Sequence, residues 1–325
     1  MKKIWITWER QRRNRELSKA LNVELFELYE IDNIKNYFLK YYTGIYKTIK
    51  ILLKEKPQIV FCQNPSLVLA FFMTMTKKIF KTRVCVDAHN AGLFPAEGKS
   101  RFLLLLARIV QKCADITIVT NKNLQVFVEK NGGRGVVLPD RIPTFFNTRT
   151  LQLKGRLNLL FICTFSSDEP YQAVFDAAAE LPEDFIIYVT GNYRKKHIEP
   201  KNLPPNVILT GFVPEKEFLD LLNSVDATID LTTRENCLVC GAYETVAVEK
   251  ILIISDTAAL REYFQRGAVY VDNTASGIRR GIEIVNSKRK ILQKEVVELK
   301  SFLNADWDNK RAVLETTIKS WSAGG

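Results

Sequence analysis

Histidine is almost missing from this 325-residue chain, which has only His89 and His197. Cysteine is sparse too, at positions 62, 85, 113, 163, 237 and 240. Cys237 and Cys240 form a lone C-x-x-C with no second pair of ligands near it in sequence. A structural zinc ion needs such a second pair, so zinc and dithiol chemistry are set aside and no metal is expected. Four of the cysteines sit in apolar runs, where a thiol behaves as a small hydrophobe. That usage suits a reduced, cytoplasmic protein. No apolar run reaches the roughly 18 residues of a bilayer span. The longest, residues 67–73 and 102–107, are short and stop at basic residues. Lys2-Lys3-Ile4-Trp5-Ile6 offers neither an apolar signal region nor a small-residue cleavage site, so no secretion signal is expected. Low-complexity tracts and short-period repeats are absent as well.

What the chain has in excess is positive charge, a net +11, and it is unevenly placed. Residues 1–150 carry 26 Lys and Arg against 12 Asp and Glu, while residues 151–325 carry 21 against 24. A basic half joined to a slightly acidic half argues that one domain faces a polyanion, either nucleic acid or an anionic membrane surface. The hydrophobic fraction of 46% and charged fraction of 26% are those of an ordinary globular protein. The length predicts two domains of roughly 150 residues each.

Both halves alternate apolar strand-like runs with amphipathic helices. In the first half the strands are expected at 3–7, 23–28, 58–63, 83–87, 115–120 and 135–138, with helices at 33–54, 66–80, 101–113 and 123–131. In the second half strands are expected at 157–164, 184–190, 207–210, 227–231, 251–255 and 268–271. The helices between them are placed at 169–181, 215–223, 242–249, 258–265 and 275–285. A charged helix at 289–303 then leads to Trp307 and a last helix ending near Trp321. Parallel strands need crossovers, and this alternation supplies them. The class is therefore α/β, with two Rossmann-like, doubly wound parallel sheets facing a cleft. Pro139, Pro143 and the polar residues 147–156 mark the boundary. The domains are set at 1–149 and 150–307, with a final helix, 308–325, crossing back to the first.

The stretch 232–256 carries the most chemistry. Glu235 and Glu244 bracket Gly241, and Glu244 is expected to open a short helix leading into an apolar strand. Glycine before a helix lets N–H groups face a ligand, and that helix end favours negative charge. Carboxylates beside it suit the hydroxyls of a sugar or ribose. An ordinary loop-helix-strand unit with two solvated glutamates is the competing reading.

In sequence order come the strand at 159–163, the strand 185–191, the segment Asn206-Val207-Ile208-Leu209-Thr210-Gly211-Phe212-Val213-Pro214, then L-L-N-S-V-D-A at 221–227 and the two-glutamate element. With these, residues 157–285 resemble the nucleotide-sugar domain of GT-B glycosyltransferases, most closely family 4. The resemblance implies that Glu244 holds ribose hydroxyls and that Gly241, Ala242 and Tyr243 present N–H groups near a diphosphate. It places Glu235 and Asn236 near the donor sugar, and Phe212 and Val213 beside the base, with UDP preferred over GDP. It implies no bound metal and no cofactor, and no Asp-x-Asp pair is placed to hold Mg²⁺. Three departures stand out. The glutamates have eight residues between them where the family usually has seven. The family's Arg and Lys after the first strand of this domain are replaced by a loop in which Thr164 and Ser166 are donor-binding candidates. Trp8-Glu9-Arg10-Gln11-Arg12-Arg13-Asn14-Arg15 stands where a Gly-Gly loop is usual. Arg12, Arg13, Arg234 or Arg261 then has to meet the diphosphate, since an Arg fork matches phosphate; a solvated basic face is the alternative. Asn14 joins Arg12 and Arg13 among the phosphate or acceptor candidates.

Val86-Asp87-Ala88-His89-Asn90 ends a strand of the first half. The resemblance places a histidine here near the donor sugar, so His89 is the catalytic candidate, with Asp87 orienting it or acting as base. Glu97 is a second acceptor-side carboxylate and Glu235 a further catalytic candidate. A structural Asp/His pair capping a turn is the alternative. Retention and inversion both stay open. Residues 33–54 repeat apolar positions with a helical period, and Lys40, Lys47, Lys50 and Lys54 interleave with Tyr42 and Tyr46. This fits peripheral attachment to anionic lipid at the inner face of the plasma membrane, with a lipid-linked saccharide acceptor. A core helix with solvated lysines is the plainer reading. No nucleic-acid motif or reader helix is found. A GT-B-like epimerase or a non-catalytic sugar-nucleotide binder is the other enzyme-class alternative.

Overall fold

The computed structural model describes residues 1–321 apart from Pro65 and the side chain of Asp32; the end of the expected final helix, residues 322–325, lies outside the described residues. Two compact units form, one from Met1–Arg141 with the chain from Trp307, the other from Ile142–Asp306.

In the first unit six parallel strands, β1 (Lys3–Thr7), β2 (Glu24–Glu27), β3 (Ile59–Asn64), β4 (Arg83–Ala88), β5 (Ile116–Val119) and β6 (Gly135–Val137), lie in the order β2-β1-β3-β4-β5-β6. Their helices are α1 (Arg12–Ala20), α2 (Tyr37–Glu55), α3 (Leu67–Thr76), α4 (Asn90–Leu93), α5 (Arg101–Cys113) and α6 (Lys122–Lys130). Side chains alternate across a strand, so the sheet feeds two cores. Ile4, Ile6, Val60, Cys62, Val84 and Val86 pack with Leu52 of α2, Met73 of α3, Val110 of α5 and Val128 of α6. Trp5, Ile59, Phe61, Cys85 and Ile116 pack on the opposite face with Leu17 of α1 and with Trp307, Leu314 and Ile318. Trp5 stacks on Phe61 with ring centroids 5.2 Å apart, and the Trp307 indole N–H donates to the Pro139 carbonyl at 3.0 Å.

The second unit repeats the plan with β7 (Leu157–Phe161), β8 (Phe185–Thr190), β9 (Val207–Gly211), β10 (Ala227–Asp230), β11 (Ile251–Ser255) and β12 (Ala268–Val271), in the order β12-β11-β10-β7-β8-β9. Its helices are α7 (Tyr171–Ala179), α8 (Glu215–Ser224), α9 (Cys240–Ala247), α10 (Ala258–Tyr263) and α11 (Ala275–Ser320). The helix expected at 275–285 and the one expected at 289–303 meet at a kink at Lys288 (φ −111°, ψ 17°), and the second runs on without the expected break before Trp307 to Ser320, so the whole is labelled as one α11. No Pro or Gly interrupts residues 282–320, so nothing forces an end there. In this way one element contributes Ile278 and Ile282 to the core of the second sheet and Trp307 and Leu314 to that of the first unit.

Strand order reverses between β1 and β3 in the first sheet and between β7 and β10 in the second. Helices leave to opposite faces at such a point, opening a crevice at the carboxyl ends of those strands, which is where ligands of doubly wound sheets bind.

Candidate functional site

At the second switch point the loop after β7 meets the loop after β10. Glu169 organises the first loop. Its Oε2 accepts N–H bonds from Thr164 and Ser166, both at 2.9 Å, and its Oε1 accepts the Thr164 hydroxyl at 2.9 Å. Burial first, then the Glu169 charge, pushes the neighbouring Cys163 thiol well above its ordinary range. Asp168 ties the two loops together. It accepts the Ser166 hydroxyl at 2.6 Å and the Thr232 hydroxyl at 2.9 Å, and it pairs with Arg234 at 3.2 Å. Burial alone would raise Asp168, but these hydroxyls and the Arg234 charge hold it below the usual carboxylate value. Carboxylates therefore stand where the related pattern has Arg and Lys, and the Thr164 and Ser166 N–H groups are committed to Glu169.

Helix α9 begins at Cys240, two residues before its expected start, so Glu244 is its fifth residue and does not open it. Against this first turn lies Asp230, the last residue of β10, which was not among the expected site residues. The backbone N–H groups of Gly241 and Ala242 lie near its carboxyl and favour its charged form. Gly241 is required for this approach, because a Cβ there would stand 2.5 Å from Asp230 Oδ2 and 2.6 Å from Ile162 Cδ1. The N–H groups expected to face a diphosphate thus lie beside the chain's own carboxyl. Asp230 is 7% exposed and its Oδ2 has no hydrogen-bond partner. Burial, then the charges of Glu169 and Glu244, raise it well above the ordinary carboxylate range, against the pull of the two N–H groups. The one sequence signal for this was an acid ending the apolar strand A-T-I-D.

The remaining donor-side candidates spread around this centre. Glu244 is half-buried, Glu235 is exposed in the turn before α9, and Asn236 is half-buried beside it. Tyr243 is buried and faces inward, its ring 5.3 Å from that of Tyr263 and 5.6 Å from that of Phe264. Phe212, after β9, is 87% exposed, and Val213 is half-buried. Arg261 is bound to Asp256 (Nη2 to Oδ2, 2.7 Å) and lies over the Tyr270 ring.

At the first switch point Arg13, expected among the phosphate groups, is buried. Its Nε donates to Asp87 at 2.9 Å, Nη2 to Asp87 at 2.7 Å and to the Leu138 carbonyl at 2.8 Å, and Nη1 to Asp140 at 2.9 Å. Asp87 is fully buried. Burial alone would raise it, but the Arg13 charge first, then His89 and the Arg13 hydrogen bonds, outweigh burial and hold it far below the usual carboxylate range, so Asp87 is an anion committed to an ion pair rather than a proton acceptor. For the same reason Arg13, despite burial, is held above its ordinary value by Asp87 and Asp140. His89 caps α4 next to this pair, with Nε2 3.7 Å from Asp87 Oδ2. Asn14 is buried, donating to Thr7 at 3.1 Å and Gln63 at 2.9 Å, whereas Arg12 is exposed. Glu97 is exposed and paired with Lys99 at 2.6 Å.

Helix α2 starts at Tyr37 behind an Asn36 cap, four residues later than the helix expected at 33, because residues 29–33 wind as a 3₁₀ turn. On it Lys47 pairs with Glu30, Lys50 lies 4.6 Å from the Tyr46 ring centroid, and Lys54 is 3.6 Å from Glu55. Lys40 is half-buried. Among the described residues no helix is long and apolar enough to cross a membrane, and no cluster of three or more His, Cys, Asp or Glu could hold a metal ion.

No protein-family profile matches the sequence, and a search of curated protein sequences finds no match. Solved structures do match the fold. Anabaena Alr3699/HepE in complex with UDP superposes with a TM-score of 0.72 at 12% identity, covering 98% of this chain and 100% of that one. Sucrose-phosphate synthase from Thermosynechococcus elongatus gives a TM-score of 0.76 at 12% identity, with both chains covered completely. A Listeria monocytogenes protein assigned as a UDP-N-acetylglucosamine 2-epimerase gives 0.67 at 13% identity, covering 100% of this chain and 98% of that one. The two six-stranded parallel sheets with flanking helices are the GT-B fold.

Proposed function

We propose that the chain is a glycosyltransferase of the family 4 type, moving a sugar from a nucleotide-sugar donor to a lipid-linked saccharide in surface-glycan assembly. The observation that carries the donor half is Glu244 on α9, beside the second switch point. It is a half-buried carboxylate that takes the ribose hydroxyls, with exposed Phe212 toward the base and Glu235 and Asn236 toward the sugar. A UDP-sugar is preferred, on the general resemblance and on the UDP held by the similarly folded HepE. With Asp230 lying against Gly241 and Ala242, the diphosphate is met by the side chain of Arg234 in the loop before α9, and transfer proceeds without a metal. Preorganised charge of this kind supplies much of the stabilisation of a leaving diphosphate. On the acceptor side His89 is the catalytic group.

The membrane half of the proposal rests on the layer α2-α3-α5, whose helices contact one another in that order. Phe38 (90% exposed), Tyr37, Tyr42 and Tyr46 on α2, Ile79 just after α3, and Phe102 and Leu105 on α5 are all open. Both α2 and α5 start on the carboxyl side of the sheet, so Tyr37–Tyr42 and Phe102 lie at the same rim as His89. Lysines interleaved with these aromatics favour an anionic lipid surface.

Calorimetry with UDP and GDP on the protein and on Glu244→Ala tests the donor site. UDP binding at least tenfold weaker in the variant is expected, and equal affinity would remove Glu244 from the site. Product analysis with labelled UDP-sugars separates transfer from the second reading, epimerisation, which the Listeria fold match favours.

A further inference from the structure

The backbone of His89 is pinned from three directions. Its N–H donates to the Asn64 carbonyl at 3.0 Å, and its own carbonyl accepts from Gly92 at 2.9 Å and Leu93 at 3.1 Å. Asn64 also donates its side-chain amide to the Gly92 carbonyl, and a Cβ on Gly92 would stand 2.5 Å from the Asn64 carbonyl oxygen. The imidazole therefore has little freedom at its root. Its Nε2 is buried without a hydrogen-bond partner, while 28% of the side chain stays exposed, so the open edge of the ring lies away from Nε2. The acceptor facing Nε2 is Asp87 Oδ2, at 3.7 Å. Such bonds are often long before substrate arrives and tighten in the complex.

Asp87 does not hold that position alone. Besides His89, Arg13 faces it with three N–H contacts of 2.7–3.1 Å, and the far side of Arg13 is fixed by Asp140 and the Leu138 carbonyl. An isolated carboxylate in a wholly buried place takes up a proton rather than stay charged. A protonated Asp87 would offer His89 a donor in place of an acceptor. A lysine could supply charge but not the planar fork that fixes a carboxylate in one orientation.

We infer that Arg13 is a positioning residue for His89: by holding Asp87 as an oriented anion it selects the tautomer with the proton on Nε2 and leaves the Nδ1 lone pair at the open edge of the ring. The tautomer assignment is independent of the proposed transfer reaction. Its catalytic consequence rests on that reading, with Nδ1 then the atom that accepts or directs the acceptor hydroxyl proton.

With only two histidines in the chain, the test is direct. Long-range ¹H–¹⁵N spectra of ¹⁵N-histidine protein are recorded at about pH 8.5, some two units above the ordinary imidazole value near 6.5. His89→Gln assigns the signals. The unmodified protein should show His89 protonated on Nε2, and protonation on Nδ1 would overturn the inference whether or not any variant folds. Arg13→Lys and Asp87→Asn should each give a mixture of tautomers with folded-state circular dichroism retained. An unchanged single tautomer in both would also overturn it. In parallel, Arg13→Lys should lower kcat by about 10²-fold, the scale of a misplaced reacting group, with UDP affinity unaltered. A loss of UDP affinity instead would return Arg13 to the phosphate site and overturn the inference. Tautomer loss with unaltered turnover would support the positioning role and remove His89 from the proposed reaction.

Discussion

Replacing Asp230 with Asn should make the second unit more stable at neutral pH, and by an amount that grows with pH. The folded protein keeps a proton on Asp230 well above the ordinary carboxylate range, because of burial first and the Glu169 and Glu244 charges second. In the unfolded chain an aspartate releases its proton near pH 3.9. Between those two values the folded state binds one more proton than the unfolded state, so stability falls as pH rises, by about 1.4 kcal/mol per pH unit. The contribution is fully present below about pH 4 and is lost as pH climbs through the folded value. Asparagine keeps an acceptor oxygen for the Gly241 and Ala242 N–H groups and has no proton to lose. Near pH 4 the variant should match the parent protein or be slightly weaker. Each further pH unit, up to the folded value, should then move the melting temperatures apart by about 3–6 °C for a domain of this size. Scanning calorimetry from pH 4 to 8, following the transition of the second unit, reads this directly. Parallel melting curves for the two proteins across that range would refute the protonated, buried Asp230.

Two further outcomes are expected. Trp307→Ala removes a side chain that is 2% exposed and bonded to Pro139; it should cost about 3–5 kcal/mol in the first unit, and denaturant melts showing under 1 kcal/mol would mean that α11 does not contribute to that core. Changing Lys40, Lys47, Lys50 and Lys54 together to Glu should weaken flotation with anionic liposomes by about fivefold or more per position at low salt and leave neutral liposomes unaffected; equal partitioning of both proteins would favour a soluble acceptor.

Most of the sheet framework was legible because it is written in local pattern. The six-residue run I-V-F-C-Q-N is buried along its whole length as β3, and a short apolar run between turn signals is what a strand covered on both faces looks like. The course of α11 was legible in part: the break expected between 285 and 289 coincides with the kink at Lys288, whereas the break expected before Trp307 is absent, because no Pro or Gly stops the helix there. The start of α9 was misplaced for a different reason. Gly241 looks like a residue ahead of a helix, yet it is the second residue within one, packed against Asp230 eleven positions earlier in sequence. Of the expected phosphate arginines, Arg12 and Arg13 are neighbours in sequence with opposite fates, one exposed and one buried. Nothing in R-R-N-R distinguishes them, because burial depends on which face of α1 meets the sheet.

What the sequence determined by itself is the alternation of strand and helix and the imbalance of charge between the halves. Parallel strands cannot be joined without crossovers, so the alternation alone commits the chain to doubly wound sheets. What only the tertiary structure decided is which polar groups meet at the carboxyl ends of those strands. Arg13 and Asp87 are 74 residues apart, and Asp230 reaches the first turn of α9 across a nine-residue loop (231–239). Pairings of this kind follow from the order of strands in the sheet and leave no periodic trace in the chain. They are made by buried ionisable groups, whose protonation is set by the partners that the fold brings near and not by their neighbours in sequence.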